Sequence, residues 1–334
     1  MTKSREVRLM KRPVGAPTRD LFEVATIDVP EPAPGEVQVR NRWMAVDPAM
    51  RGRMSDAKSY VPPFELGKPM EGTAIGEVIA SNDPSFKVGD IAYSRLGWRE
   101  VFNAPASALK HRDCSVLPES AHLGFAGTTG LTAYAGLLDV AGLKDGDVVF
   151  VSAASGGVGS TACQIAKLKG HKVIGSAGGA RKAAFLKDKL NLDEVIDYKA
   201  EPSLTKALFR AAPEGIDVYF ENVGGEHLQA ALAVANFHAR FALCGMISVY
   251  NSTEPTPAPR NLVQAVVKSI RMQGYIVLNY MHLEEQFLRD VTAWYKAGKI
   301  EIQETVYEGI DHSLDAFFGL FSGENLGRML VKLS

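Results

Sequence analysis

The sequence predicts a mixed α/β protein in which a doubly wound parallel sheet is joined to a β-rich, barrel-like domain, and three observations carry that reading. The length of 334 residues suits two medium domains at about 150 residues each. The first third consists of short β-branched runs broken by Gly, Pro, Asn and Asp. After about residue 120, apolar strand segments alternate with helical ones, the signature of βαβ units joined by right-handed crossovers.

In order along the chain, Val37 to Val46 alternates partly at period two, Thr73 to Ala80 is β-branched, and Val88 to Tyr93 and Arg99 to Asn103 are short extended segments. Prolines at 30, 32, 34, 48, 62, 63 and 69 would each remove a ladder donor, so these positions are expected at turns or edges of a partly open barrel. Asp147 to Ser152 then holds a continuous apolar run of the kind buried on both faces of a parallel sheet. A glycine cluster follows, and behind it Val158, Ala162, Ile165 and Ala166 recur at helical spacing. Strands expected at Lys172 to Gly175, Glu194 to Ile196, Asp217 to Glu221 and Arg240 to Cys244 alternate with helices at Arg181 to Leu190, Ser203 to Ala211 and Glu226 to Ala235. Past the proline-rich Glu254 to Arg260, a helix is expected over Asn261 to Ser269 and a sixth strand over Met272 to Leu278. An amphipathic helix then carries Leu283, Phe287, Leu288, Val291, Trp294 and Tyr295 on one face. The C-terminal stretch predicts a strand, a short helix and a closing strand, Arg328 to Leu333, that rejoins the N-terminal domain.

Hydrophobic residues make up 46% of the chain and charged residues 22%, enough apolar material for a large core, so disorder is excluded. With 37 basic against 38 acidic residues no broad electropositive surface is expected, and nucleic acid is not an expected partner. Cys114, Cys163 and Cys244 are odd in number and far apart, which suits neither a disulfide framework nor a four-thiolate zinc lobe. The basic N-terminus never reaches the apolar run of a signal peptide, and no stretch is long enough to span a bilayer. A cytoplasmic protein with no membrane partner is expected.

The segment Ala153 to Ser160 places Ala154, Gly156 and Gly159 at the small-residue positions of a G-x-G-x-x-G fingerprint, with Gly157 added. Small residues here permit a tight turn, close approach of a pyrophosphate and helix packing on the strand, while the helix offers free N–H groups to the anion. A lone glycine cluster can be a mere turn; its place between a buried strand and a helix, among βαβ units, points to a dinucleotide. At the end of the second strand, where an acidic side chain would accept from the ribose of NAD, the chain instead has small residues followed by Arg181 and Lys182. These suit a 2′-phosphate, so NADPH is the expected cofactor; the alternative is that both are solvated residues of a helix's first turn.

The segments GTTGLTAYAGLLDV (127–140), VSAASGGVGSTACQIAKLKG (151–170), YFENVGG (219–225), CGMISVYN (244–251) and GENLGRMLVK (323–332) together resemble the medium-chain dehydrogenase/reductase superfamily. Within it they resemble the zinc-independent leukotriene 12-hydroxydehydrogenase/prostaglandin reductase group, from about residue 35 to the C-terminus. The resemblance implies a catalytic domain over 1–123 and 301–334, an NADP-binding Rossmann domain over 124–300, and a cleft where the two meet. It implies that Gly156, Gly157, Val158 and Gly159 line the pyrophosphate, that Lys182 meets the 2′-phosphate and that Tyr198 packs near the adenosine. It places Asn222, the stretch Cys244, Gly245, Met246, Ile247, Ser248 to Tyr250, and Tyr275, Ile276 and Val277 along the cofactor, with Asn325 arriving from the C-terminal segment. Asn beside glycine also serves ordinary turns, as at Asn222 and Asn325. Relatives form homodimers, and the apolar Gly274 to Leu278 is the segment expected to pair with its twin.

Classical zinc enzymes of the superfamily carry an early catalytic Cys and a Gly-His-Glu element, where this chain reads Pro69-Met70-Glu71-Gly72, and its seven histidines show no metal spacing. No metal is expected. Without one, reduction of a conjugated double bond is the chemistry easiest to support, with hydride reaching the β-carbon of an enone or enal, charge moving to the carbonyl oxygen as an enolate, and a proton reaching the α-carbon. Tyr250 and Tyr60 are the candidate donors to that oxygen, although packing is the commoner role of a lone Tyr. Relatives with Asn/Asp-Pro-Tyr-Met-Arg have a tyrosine where this chain has Ala49, so the prostaglandin substrate does not carry over. The alternatives are an NADPH quinone oxidoreductase and a non-catalytic NADPH-binding protein.

Overall fold

The first residues, which carry no strand pattern clear enough to read, form a hairpin. In the computed structural model, which describes all 334 residues, β1 (Thr2–Leu9) pairs antiparallel with β2 (Phe22–Val29) over its full length. Ser4 and Glu6 are buried and then Val7 and Leu9, so the alternation changes phase between Glu6 and Val7 and is carried partly by polar residues, which hides it in the sequence. Next come β3 (Glu36–Ala45), a single helical turn α1 (Met50–Arg53), β4 (Ala74–Ser81), β5 (Ile91–Ser94), β6 (Val101–Pro105) and β7 (Lys110–His111). β3 is the spine, pairing antiparallel with both β4 and β6.

The second stretch is the alternating one. It runs α2 (Thr128–Ala135), β8 (Val148–Val151), α3 (Gly157–Leu168), β9 (Lys172–Ala177), α4 (Ala180–Ala184), β10 (Glu194–Asp197), α5 (Leu204–Ala211), β11 (Ile216–Glu221), α6 (Gly225–Val234), β12 (Ala235–Leu243), α7 (Gln264–Val267), β13 (Arg271–Gly274) and α8 (Glu284–Lys296). Six parallel strands lie in the order β10-β9-β8-β11-β12-β13, reversing direction of growth between β8 and β11 as a doubly wound sheet requires. The chain closes with β14 (Glu304–Glu308), α9 (Ser313–Ser322) and β15 (Arg328–Lys332), and β15 pairs with β3 beside β14 in a seven-stranded sheet. By internal contacts one unit comprises Met1–Leu123, Glu304–Asn325 and Met329–Ser334, and the other Gly124–Gln303 and Leu326–Arg328. No helix is long and apolar enough to cross a membrane.

Two expected elements are shorter than the sequence suggests. The sixth strand ends at Gly274, because the next residue, Tyr275, turns its hydroxyl to donate to the Thr132 carbonyl of α2 at 2.9 Å and draws the chain out of line with the sheet. The helix expected over Asn261 to Ser269 shrinks to the four residues of α7. Val263, Val266 and Val267 there are exposed, so β-branched residues gain no packing to offset their poor helix propensity. Conversely, the helices starting at α2 and α4 continue as π-helical turns, Gly136–Ala141 and Phe185–Lys189.

Each unit buries its own core. In the parallel sheet, Phe150 and Tyr219 stack at 5.1 Å between ring centroids and Phe241 meets Tyr219 edge-on at 5.2 Å, all within 1% of full burial. In the other unit Trp98 and Phe317, also fully buried, meet edge-on at 6.2 Å among Val7, Leu9, Met44 and Val331. Since each such ring contributes about 1.5–3 kcal/mol by burial and its removal leaves a cavity, Phe241→Ala is expected to destabilise the parallel-sheet unit by about 3–5 kcal/mol in urea unfolding.

Candidate functional site

β8 delivers the chain into the turn Ser152 to Gly156, and α3 leaves it. Ala153 takes φ +46°, a left-handed conformation forced by the sharpness of the turn. Gly159 packs so closely on it that a Cβ would stand 2.2 Å from the Ala153 carbonyl oxygen, so only glycine lets the helix settle there. Gly156, Gly157 and Val158 are partly exposed at the helix start, leaving bare backbone open to a ligand. The turn is also held from its flank: Gly327 N–H donates to the Ser155 carbonyl at 2.7 Å, and Gly156 and Gly327 form a parallel bridge. The motif reading singled out Asn325, two residues earlier, and gave no sign of this contact. Asn325 itself lies in the barrel-side unit, partly exposed just after α9.

A second missed residue organises the opposite side of the turn. Glu221 ends the apolar run of β11 and is fully buried, and one carboxylate oxygen accepts from Ser152 Oγ at 3.0 Å, Val223 N–H at 2.6 Å and Gly224 N–H at 2.9 Å. Its main-chain carbonyl accepts from the N–H groups of Cys244 and Gly245 at 3.0 and 3.1 Å. Burial pushes its pKa above the usual 4.5, opposed by the backbone donors. The signal was present as a charged residue inside a buried run. Beside it, Asn222 donates its side-chain amide to the Ser152 carbonyl and its N–H to Ser152 Oγ, each at 2.8 Å. Asn222 thus braces the two strand ends.

The stretch after β12 is laid along these groups. Ile247 and Ser248 N–H donate to the Asn222 and Val223 carbonyls at 3.1 Å, and Ser248 Oγ also donates to Val223. Cys244 is partly exposed as a residue but its thiol is enclosed, and burial pushes it up to about 12, which removes it as a nucleophile at neutral pH. Tyr250 folds back so that its hydroxyl accepts from Met246 N–H at 3.3 Å, passing within 2.9 Å of where Gly245 would carry a Cβ. Tyr275, by contrast, donates its hydroxyl proton to the Thr132 carbonyl, and Ile276 and Val277 beside it are partly exposed.

At the far end of the sheet, Tyr198 N–H donates to the Ala177 carbonyl, and its ring stands edge-on to buried His227 at 5.1 Å. Tyr198 also covers Gly178, where a Cβ would lie 2.7 Å from its hydroxyl. Lys182, on the first turn of α4, has its pKa lowered by burial and by the charges of Lys199 and Arg181, with no carboxylate among its electrostatic neighbours. The bare backbone, the small residues at the packing points and a cation left without a counter-ion together fit a dinucleotide carrying a phosphate at its adenosine end.

Tyr60 belongs to the other unit, on an exposed loop between α1 and Phe64. The loop's ends are tied: Phe64 N–H donates to the Arg53 carbonyl at 2.7 Å, Arg53 Nε donates to the Pro62 carbonyl at 3.0 Å, and the guanidinium lies 4.2 Å above the Phe64 ring. Glu71, which stands where the zinc enzymes have a ligand element, forms an ion pair with Arg53 at 2.7 Å. No three His, Cys, Asp or Glu side chains converge as a metal would require.

A doubly wound unit with a glycine turn, joined to an antiparallel unit completed from both chain ends, defines a nucleotide-dependent oxidoreductase of two domains. The chain matches the family described as the N-terminal domain of oxidoreductase over residues 5–111 and that described as zinc-binding dehydrogenase over 157–293. It is 40% identical to the NADP(+)-dependent 2-alkenal reductase of Nicotiana tabacum, covering 99% of this chain and 98% of that one. The NADPH-dependent curcumin reductase of Escherichia coli is 38% identical, with 98% and 96% covered. Among solved structures, CurA of Vibrio vulnificus in complex with NADPH superposes with a TM-score of 0.93 at 41% identity, over 99% of both chains. The chain therefore belongs to the medium-chain dehydrogenase/reductase superfamily, in the group that includes the curcumin, 2-alkenal and prostaglandin reductases. The likeness begins at the N-terminal hairpin, earlier than the motifs indicate.

Two substitutions separate the roles of Glu221. Glu221→Gln keeps an acceptor oxygen for the three donors and is expected to stay within about 1 kcal/mol of the parent, whereas Glu221→Ala orphans them at a cost of about 3 kcal/mol. Because the folded state raises this pKa, it holds the proton more tightly than the unfolded chain. The stabilisation is complete below the unfolded value of about 4.5 and is lost as pH rises towards the folded value. Urea unfolding across pH should show that decline in the parent and not in Glu221→Gln.

Proposed function

We propose that the protein reduces the carbon–carbon double bond of α,β-unsaturated ketones and aldehydes with NADPH. The observation that carries this is the combination of a nucleotide cradle ending in an unneutralised Lys182 with whole-length likeness to a 2-alkenal reductase. When bound, NADPH supplies the hydride that the β-carbon of the substrate accepts. Gly156, Gly157, Val158 and Gly159 hold its pyrophosphate, Lys182 and Tyr198 its adenosine end, and Asn222, Cys244 to Ser248, Tyr250, Tyr275 to Val277 and Asn325 the remainder. The domain over 124–300 is the NADP-binding one, and that over 1–123 with 301–334 bears the substrate.

The chain's own part in catalysis is alignment and polarisation. Charge accumulates on the carbonyl oxygen as the double bond is reduced, and a donor aimed there is worth several kcal/mol in a water-excluded site. Tyr250 fits the role because its hydroxyl is held against the Met246 N–H, within the Cys244 to Tyr250 segment assigned to the cofactor. Tyr60 is the second donor, on a loop whose ends Arg53 fixes. No metal enters this scheme; the residues that would bind one are replaced, Glu71 being engaged by Arg53.

We infer further a cytoplasmic homodimer. Three free cysteines support a reducing compartment. The edge strand β13 is paired on one side only, and Leu262, Val263, Val266 and Val267 nearby are 42 to 80% exposed, an apolar face that a second copy would cover. The segment expected to pair with its twin, Gly274 to Leu278, starts at the end of that edge strand.

A panel of alkenones, alkenals and quinones assayed with NADPH and NADH is expected to show NADPH-dependent turnover of the conjugated carbonyls. Turnover of quinones alone would make the protein a quinone oxidoreductase, and tight NADPH binding without any turnover a non-catalytic one. Tyr250→Phe is expected to lower kcat on a simple enone about 10–100-fold with little change in NADPH affinity, and Tyr60→Phe to lower it less. Unchanged rates in both would remove tyrosine from the mechanism. Sedimentation should give a dimer that Val266→Glu converts to monomer.

A further inference from the structure

The adenosine end of the cradle contains one more cation than the motifs assign. Lys199 follows Tyr198 on the loop after β10, and its side chain lies with that of Tyr198 over the bare face of Gly178: a Cβ on Gly178 would stand 2.7 Å from the Tyr198 hydroxyl and 3.0 Å from Lys199 Cε. The position of Lys199 is fixed from below. One oxygen of Asp197 accepts from both Gly179 N–H at 2.8 Å and Lys199 N–H at 3.1 Å, so a single carboxylate ties the turn that begins α4 to the residue that overhangs it. That oxygen is occupied by backbone, and Asp197 forms no ion pair with Lys182, Arg181 or Lys199.

Arg181 and Lys182 arrive from α4 and Lys199 from the loop opposite, three like charges brought together from two elements. Lys199 and Arg181 each repel Lys182, adding to its desolvation, and no carboxylate offsets them there. The other titratable neighbour, His227, is held neutral at neutral pH by burial, its pKa lowered to about 4, and adds no charge of either sign. Like charges gathered without a counter-ion destabilise a fold unless something bound there compensates. A phosphate dianion does so.

We propose that Lys199 is a second specificity-determining cation for the adenosine 2′-phosphate, acting with Lys182 across Gly178. The proposal rests on the NADPH reading above. Lys182 approaches from the helix and Lys199 from the strand-end loop, where its side chain lies with the Tyr198 hydroxyl over Gly178, so the phosphate is gripped from two sides and the bare hydroxyl of NAD by neither.

The test is a binding measurement that needs no substrate. Titrating the parent, Lys199→Gln and Lys182→Gln with NADPH, NADH and 2′,5′-ADP, by cofactor fluorescence and calorimetry, gives the affinities directly. Lys199→Gln is expected to weaken NADPH and 2′,5′-ADP about tenfold, or about 1.4 kcal/mol, and to leave NADH unchanged, while lessening the salt dependence of NADPH binding. Lys182→Gln is expected to lose at least as much. Unchanged NADPH affinity in Lys199→Gln would overturn the proposal while leaving the cofactor reading intact, and so would an equal loss for NADPH and NADH, which marks a structural role. A parent protein that binds NADH as tightly as NADPH would overturn both.

Discussion

The cofactor side of this protein depends on one buried carboxylate. Glu221 sits at the end of a central strand, out of contact with solvent, and gathers Ser152 from the neighbouring strand together with the amides of Val223 and Gly224. Its own carbonyl anchors Cys244 and Gly245, the start of the segment that ends in Tyr250. An unpaired buried acid is among the costlier features a fold can carry, and here three donors on one oxygen offset that cost. The result is that three loops leaving adjacent strands are fixed relative to one another before any ligand binds.

Close approach does the rest. Gly159 allows α3 to rest on the Ala153 carbonyl, Gly178 lets Tyr198 and Lys199 lie flat across the second strand's end, and Gly327 closes the flank of the turn. At Gly159 and Gly327 a side chain would force backbone apart, and at Gly178 it would displace the Tyr198 and Lys199 side chains. A surface made of bare backbone presents N–H groups without competing side chains, which is what an extended, multiply charged ligand requires. The loop of Tyr60 follows another principle, with the long side chain of Arg53 bonding, stacking and pairing at once to fix both of its ends.

Much of this was legible in the chain. The strand-turn-helix unit around Ala153 to Ser160 is readable because small residues at set spacings, between an apolar run and an amphipathic one, have few other uses. The N-terminal hairpin was not, since its alternation changes phase between Glu6 and Val7 and is carried partly by polar residues. The sixth strand was overextended because Tyr275 and its neighbours have good strand propensity, and the hydroxyl contact to Thr132 that ends the strand links residues far apart in sequence. Glu221 looked like the polar end of a strand, and nothing local says that its partners lie on the neighbouring strand and in the turn that follows.

The sequence by itself determined the class of fold, the glycine turn, the replacement of an acidic ribose partner by small residues and cations, and the loss of the elements that bind zinc in related enzymes. These are local: each depends on residue type at short spacing, which the chain states directly. Tertiary structure alone decided that Gly327 flanks the turn, that Glu71 is engaged by Arg53, that the Tyr275 hydroxyl is spent on α2, and that Lys199 joins Lys182 and Arg181. Those arrangements arise from chain segments brought together by burial of two separate cores, and long-range proximity of that kind leaves no periodicity in the sequence to read.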